Sequence, residues 1–214
     1  HAGGKFDNES YKVSAGLHGV GVSAVNAVSV WLKLEIRRQG KVWYQEYVRG
    51  VPQAPIAPIG VSTSSGTKVT FKPDPEIFTI TEFSFDILNN RLRELAFLNA
   101  GFDVHFRDER DGREVKHRFD GGLREFVQTL NKSKAALHEE VIYLKDKQDN
   151  VEVEVALQWN DSYNEAIYAY TNNVHNKDGG THLTGFRTAL TRVVNNYGNE
   201  KNLLKDLKGT PLSG

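Results

Sequence analysis

The sequence predicts an α+β protein in which helices pack on mostly antiparallel sheet, in two layers. Three observations carry this. Apolar and polar residues alternate over short runs joined by tight turns, the mark of hairpins rather than of parallel crossovers. Three other stretches repeat their apolar residues at helical spacing, and the composition changes after Gly121-Gly122.

Taken in order, His1 to Gly21 is loop-like, with glycines at 3, 4, 16, 19 and 21. Val20 to Val28 suits a short helix of small residues, with Val22, Val25 and Val28 on one stripe. Leu32, Leu34 and Ile36 then alternate with Lys33, Glu35 and Arg37, and Gln39-Gly40 turns the chain into a second strand, Val42 to Val48. "GVPQAPIAPIG" holds three of the six prolines and is expected to be a loop. "GTKVTFKP" is a strand stopped by Pro73. Phe83 to Leu98 is an amphipathic helix presenting Phe85, Leu88, Leu92, Leu95 and Phe97 or Leu98. Val104 to Asp108 and Glu114 to Phe119 form a hairpin around Asp111-Gly112.

A domain boundary is placed after residue 121, separating 1–121 from 122–214. Gly122 to Leu130 is a helix. Val151, Val153, Val155, Leu157 and Trp159 alternate with polar residues as a half-buried strand, and Ile167 to Thr171 is its expected antiparallel neighbour. Leu183, Phe186, Leu190, Val194 and Tyr197 mark a last helix, started at Gly180-Thr181 with Thr181 or Asp178 as its cap and stopped by Gly198.

Composition excludes several classes. The 27 basic and 27 acidic residues cancel, so no global field draws the chain to nucleic acid or to a membrane surface. Without cysteine there is neither a disulfide framework nor a thiolate metal site, which fits a reducing, cytoplasmic setting. No apolar run approaches the roughly 20 residues that span a bilayer. The chain lacks Met, opens on His1 within a glycine loop and closes on the turn-forming "KDLKGTPLSG". The expectation is an internal segment of a longer protein.

The stretch "SAGLHGVGVSAVNAVS" combines glycines with a helix start, which is what phosphate binding requires. Backbone N–H groups converge there, the helix dipole favours an anion, and no Cβ blocks the approach. Lys5 adds a cation. "AGGKF" fails as a P-loop, having no Ser or Thr after the lysine and no glycine four places upstream. The dinucleotide fingerprint is closer, with Glu35 near the expected ribose-binding position. Its glycines, however, run in reverse order, as G-x-x-G-x-G, and no apolar strand leads into them. A flexible connector whose glycines merely turn corners is the third reading.

"HAGGKFDNESYKVSAGLHGVGVSAVNAVS" resembles the ATP lid and second glycine box of the GHKL ATPases that serve bacterial type II DNA topoisomerases. "GTKVTFKPD", "RLRELAFLNAGF", "VEVALQWND" and "NNVHNKDGGTHLTGFRTALTRVVN" continue the likeness in order, over essentially the whole chain. Of the two bacterial branches, "VALQWND" and "GFRTALTRVVN" look more like gyrase than topoisomerase IV. The resemblance implies a Bergerat-type sandwich fragment over 1–121. Over 122–214 it implies a transducer domain of the ribosomal protein S5 domain 2-like fold, incomplete at its C-terminal end.

It also implies roles. Gly16, Leu17, His18, Gly19, Val20, Gly21 and Val22 would wrap the triphosphate of ATP. Lys5, preceded by Gly4, would reach the γ-phosphate, and Tyr11 would contact the adenosine. Thr67 would read the adenine, and Arg38 would meet aminocoumarin inhibitors beside the nucleotide. Without the resemblance, Thr67 is a good β-former opening a strand and Arg38 a solvated hairpin residue. Ala15 departs from the family's usual glycine: with φ > 0 there it would cost about 1 kcal/mol and hinder lid closure.

The family's general base, its Mg²⁺-holding Asn and its adenine-binding Asp would precede His1, and its transducer lysine loop would follow Gly214. No catalytic residue or metal ligand is therefore expected here, and the chain alone should not hydrolyse ATP. The implied partners of the intact protein are DNA, the gyrase A chain that carries the cleaving tyrosine, and a second copy of itself, closing as an ATP-driven clamp. Alternatives are the ATPase chain of a topoisomerase IV, a non-catalytic nucleotide-binding or dimerisation module, and, more weakly, a nicotinamide-dependent enzyme. His175, Asp178 and His182 fit no metal-binding spacing rule.

Overall fold

The computed structural model describes residues 19–205 and 211–213. Helix α1 (Gly21–Ala27) buries none of its residues. It leads into β1 (Ser29–Arg38), which pairs antiparallel with β2 (Lys41–Val48). Gln39 (φ 55°) and Gly40 (φ 75°) are both left-handed, the geometry of a two-residue hairpin turn matched to strand twist.

The expected loop after β2 is partly strand. β3 (Val51–Pro52) and β4 (Ala57–Val61) both pair with β2. Pro52 lies opposite Tyr47 and Pro58 opposite Trp43, and the register slips between Val42 and Trp43. Proline is tolerated here because these are edge positions, where its missing N–H interrupts no ladder. β5 (Gly66–Pro73) pairs with the other side of β1, so β1 is an inner strand of a five-stranded sheet.

Of the alternating set on β1, Leu32 is buried and Leu34 and Ile36 are half-buried. Asp74, after β5, is buried and accepts from the Arg49 guanidinium at 2.9 Å, while its N–H donates to Val28 O, fixing the end of β5 against β1.

Helix α2 (Phe85–Leu98) begins two residues later than the periodicity suggests. The Ser84 hydroxyl accepts the N–H of Ile87, a cap that leaves Phe83 outside the helix. β6 (Val104–Arg107) and β7 (Glu114–His117) make the expected hairpin.

Two compact units result. One runs to Leu92 and includes Phe106–Val115; the other takes Arg93–His105 and everything from Lys116. The second is built on stacked phenylalanines, Phe97 against Phe119 and Phe126, with Phe126 from α3 (Gly122–Asn131).

β8 (Ile142–Gln148) pairs antiparallel with β9 (Val151–Leu157), correcting the expectation that 167–171 would be the neighbour of β9. β8 is hard to see in the sequence because only Ile142 and Leu144 keep the alternation; Asp146 and Gln148 break it on the same face. Val155 and Leu157 are half-buried, but Val151 and Val153 are exposed, so the half-buried pattern holds for only part of β9. The 167–171 stretch instead contributes β10 (Tyr170–Thr171), paired with β11 (Val174–His175) around left-handed Asn172 and Asn173.

Helix α4 (Thr181–Glu200) starts without a side-chain cap, so neither Thr181 nor Asp178 has the expected role; Gly180 holds the cap position. Nor does Gly198 stop the helix. Asn202 (φ 56°) does, in a Schellman arrangement: Leu203 N–H donates to Gly198 O at 2.8 Å and Asn202 N–H to Asn199 O at 3.1 Å. Gly198 is a spacing residue, since a Cβ there would lie 2.7 Å from Leu204 Cγ.

Candidate functional site

Strand pairing decides which expected binding residues meet. Ile36 lies opposite Trp43 on one side and Thr67 on the other, a row across β2, β1 and β5. Two residues further along β1, on the same face, Arg38 pairs with Lys41. Thr67 and Arg38 are therefore near neighbours at the hairpin end of the sheet. Both are exposed. Arg37, on the opposite face, donates to Glu35 at 3.3 Å. The β1 alternation thus separates an arginine engaged with its own strand from one facing the Thr67 row.

Trp43 and Lys41 are site neighbours that the sequence reading passes over. The Lys41 ammonium lies 5.6 Å from the Trp43 ring centroid, placing an aromatic plane and a cation beside the same row. The signal is available in the period-two alternation of β2, which sets Trp43, Gln45 and Tyr47 on one face.

Gly19, Val20, Gly21 and Val22 form the start of α1. Gly19 is left-handed (φ 64°), a conformation that favours glycine. The first turn of α1 carries no acidic residue and no side-chain cap, and Val20 and Val22 are exposed. Its leading N–H groups suit an anion. α1 joins β1 at the end opposite Arg38, where Ser29 pairs with Pro73. No hydrogen bond among the described residues links Gly19–Val22 to Thr67 or Arg38. Gly4, Lys5, Tyr11, Gly16, Leu17 and His18, and the departure at Ala15, lie outside the described residues.

The same unit holds an open groove of about 450 Å³ lined by Phe83, Phe85, Leu88, Phe106, Asp108 and Arg110, among others. Its charges are internally paired. Buried Asp108 accepts from Arg110 Nε at 2.9 Å and from the Arg110 N–H at 3.0 Å. These bonds hold its carboxyl down at about 2, with Arg113 contributing less. The arrangement braces the β6–β7 turn and leaves no free reactive group at Asp108.

Of the three residues weighed as metal ligands, His175 stacks on Tyr168 and Tyr170. Among the described residues no three His, Cys, Asp or Glu side chains gather as a metal site. No helix among them is long and apolar enough to cross a membrane.

The sheet, the glycine-led helix and the second α+β unit together define a class, that of gyrase-type ATPase domains. The fold matches the 43K ATPase domain of Thermus thermophilus gyrase B, solved in complex with an aminocoumarin, with a TM-score of 0.76 and 38% identity over 86% of this chain and 51% of that one. It matches the B-subunit of the DNA gyrase from Myxococcus xanthus with a TM-score of 0.77 and 26% identity, covering 83% of this chain and 53% of that one.

Residues 122–211 match the family described as DNA gyrase B. The chain is 49% identical to the full-length DNA gyrase B of Myxococcus xanthus over 99% of its own length and 26% of that protein's. It is 51% identical to DNA gyrase B of Bacillus mycoides over 96% and 52%. It belongs to the DNA gyrase B family, and it spans about half or less of the length of these relatives.

Proposed function

We propose that this chain is the lid-and-transducer part of a gyrase B protein that couples ATP hydrolysis to DNA strand passage and negative supercoiling. The observation that carries the reading is the placement of Thr67 and Arg38 side by side on one sheet face. They lie in a chain 38% identical to an ATPase domain that binds an aminocoumarin.

In this reading Thr67 holds the adenine and the N–H groups of Gly16 to Val22 hold the phosphates. Gly4 and Lys5 close over the γ-phosphate, Tyr11 packs on the adenosine, and Arg38 forks onto the aminocoumarin. The uncapped, acid-free start of α1 fits such an anion. ATP with Mg²⁺ supplies the phosphoanhydride whose cleavage resets the clamp; the metal ligand and general base belong to other parts of the intact protein. The domain division at 121/122 separates ATPase part from transducer. The intact protein is cytoplasmic, pairs with a second gyrase B and with gyrase A, and acts on DNA.

The test replaces the corresponding part of a full-length gyrase B with this chain and assays it together with gyrase A. ATP-dependent negative supercoiling is expected, and the isolated chain should release no phosphate. Decatenation exceeding supercoiling would favour the topoisomerase IV reading. Nucleotide binding without turnover in the full-length hybrid would favour a non-catalytic module.

A further inference from the structure

The stretch "QWND", residues 158–161, carries part of the family likeness, yet none of it is among the nucleotide residues. It forms a polar knot within the second unit. After α3 the chain passes alongside the end of β9: Ala136 bridges Asn160, Leu137 N–H donates to Trp159 O at 2.9 Å, and Asp161 N–H donates to Ala135 O at 2.9 Å. Gln158 Nε2 donates to His138 O at 2.9 Å, and Asn131 binds both Gln158 and Asn160.

At its centre sits the half-buried His138 ring, edge-on to the Trp159 indole. Its Nδ1 lies 2.6 Å from Glu140 O, and its Nε2 lies 3.1 Å from Trp159 N. Both partners are backbone groups with a fixed role. A carbonyl oxygen can only accept, so Nδ1 carries the proton. An amide N–H can only donate, so Nε2 must be bare. The backbone therefore dictates one neutral tautomer. A second proton on Nε2 would set two donors against each other at 3.1 Å.

We propose that His138 is a proton-operated latch: the neutral Nδ1–H imidazole clamps the α3–β8 connection to the end of β9, and protonation of Nε2 releases the Trp159 N–H and loosens that connection. The titratable groups around it are Glu139 and Glu140 on its own segment and Asp161 beyond Trp159, whose carboxylate is engaged by the Ala135 N–H at 3.1 Å. The end of α3 contributes Asn131, which is uncharged. The latch needs neither a ligand nor the nucleotide reading above.

The test is NMR on the full chain. At pH 8 the imidazole ¹⁵N shifts should report a protonated Nδ1 and an unprotonated Nε2; the opposite tautomer would overturn the proposal without any variant. Between pH 8 and pH 5, where histidine ordinarily titrates, the exchange protection of the Trp159 amide, corrected for intrinsic rates, should fall tenfold or more. In His138→Gln, whose carbonyl keeps an acceptor but takes no proton, it should stay within twofold. Protection in the native chain that ignores pH would refute the latch. So would an equal loss at the Ala156 amide in β9, which would mean general acid unfolding of the unit.

Discussion

Truncating Phe97 tests how the second unit is held together. The side chain is only 1% exposed. Its ring stacks on Phe119 with centroids 3.5 Å apart and on Phe126 at 4.9 Å, both nearly parallel, and the Arg93 guanidinium lies 5.7 Å from it. Removing a buried phenylalanine to alanine costs about 3–5 kcal/mol. Two aromatic pairs worth roughly 0.5–1.5 kcal/mol each beyond burial push this site to the upper end, about 4–5 kcal/mol. Phe97→Leu keeps most of the burial and loses the stacking, so about 1–2 kcal/mol is expected.

Trp159 is the single tryptophan of this unit, Trp31 and Trp43 belonging to the other. Its emission in a Trp31→Phe, Trp43→Phe background follows the unit through urea denaturation. With a slope of about 1.5 kcal/mol per molar, Phe97→Ala should lower the midpoint by more than about 2 M. A fall below about 1 M, or equal losses for Ala and Leu, would refute the stacked triad as the centre of this core.

The remaining predictions concern the first unit. The Asp108 carboxyl is held down at about 2 by Arg110, against an ordinary 3.8. A depressed acid contributes stability above the unfolded-state value and loses it as pH falls through the folded one. Acid denaturation of the first unit between pH 4 and 2 should therefore flatten in Asp108→Asn, and an unchanged acid slope would remove Asp108 from the account. Gly19→Val, placed in a full-length gyrase B hybrid, forces a β-branched residue into a left-handed backbone. It should weaken binding of a non-hydrolysable ATP analogue tenfold or more, about 1.4 kcal/mol, by calorimetry. Arg38→Lys in the same hybrid removes the planar donor fork, so aminocoumarin affinity should fall much further than ATP affinity; equal losses would mark Arg38 as part of the nucleotide contact.

Elements whose own residues repeat a clear period are legible in the sequence. β1 and β2 follow from alternation plus the Gln39-Gly40 turn, and α2 from its apolar stripe, with only Ser84 shifting the start. What local pattern misses is decided by partners. β8 is polar over half its length and becomes a strand because β9 offers a complete ladder. The prolines of β3 and β4 look like breakers until an edge position makes their missing N–H harmless. Gly198 has the chemistry of a stop signal, yet the helix continues because Asn202 takes the left-handed turn and Leu204 needs the vacant space.

The candidate site divides along the same line. Spacing alone indicates that a glycine loop meets a helix start, a local fact, and Gly19 and α1 follow it. That Thr67 should stand beside Arg38 is not local: the two are far apart in sequence, and only the antiparallel register of β5 on β1 joins them through Ile36. Resemblance named both residues without supplying the geometry, and it passed over Trp43, which completes the row from the other side. A register slip of one residue between β1 and β5 would turn Thr67 to the opposite face and dissolve the pairing. The buried Leu32, paired with Phe71 on β5 and Tyr47 on β2, fixes that register, so a core leucine several residues away sets the position of the threonine proposed to read adenine.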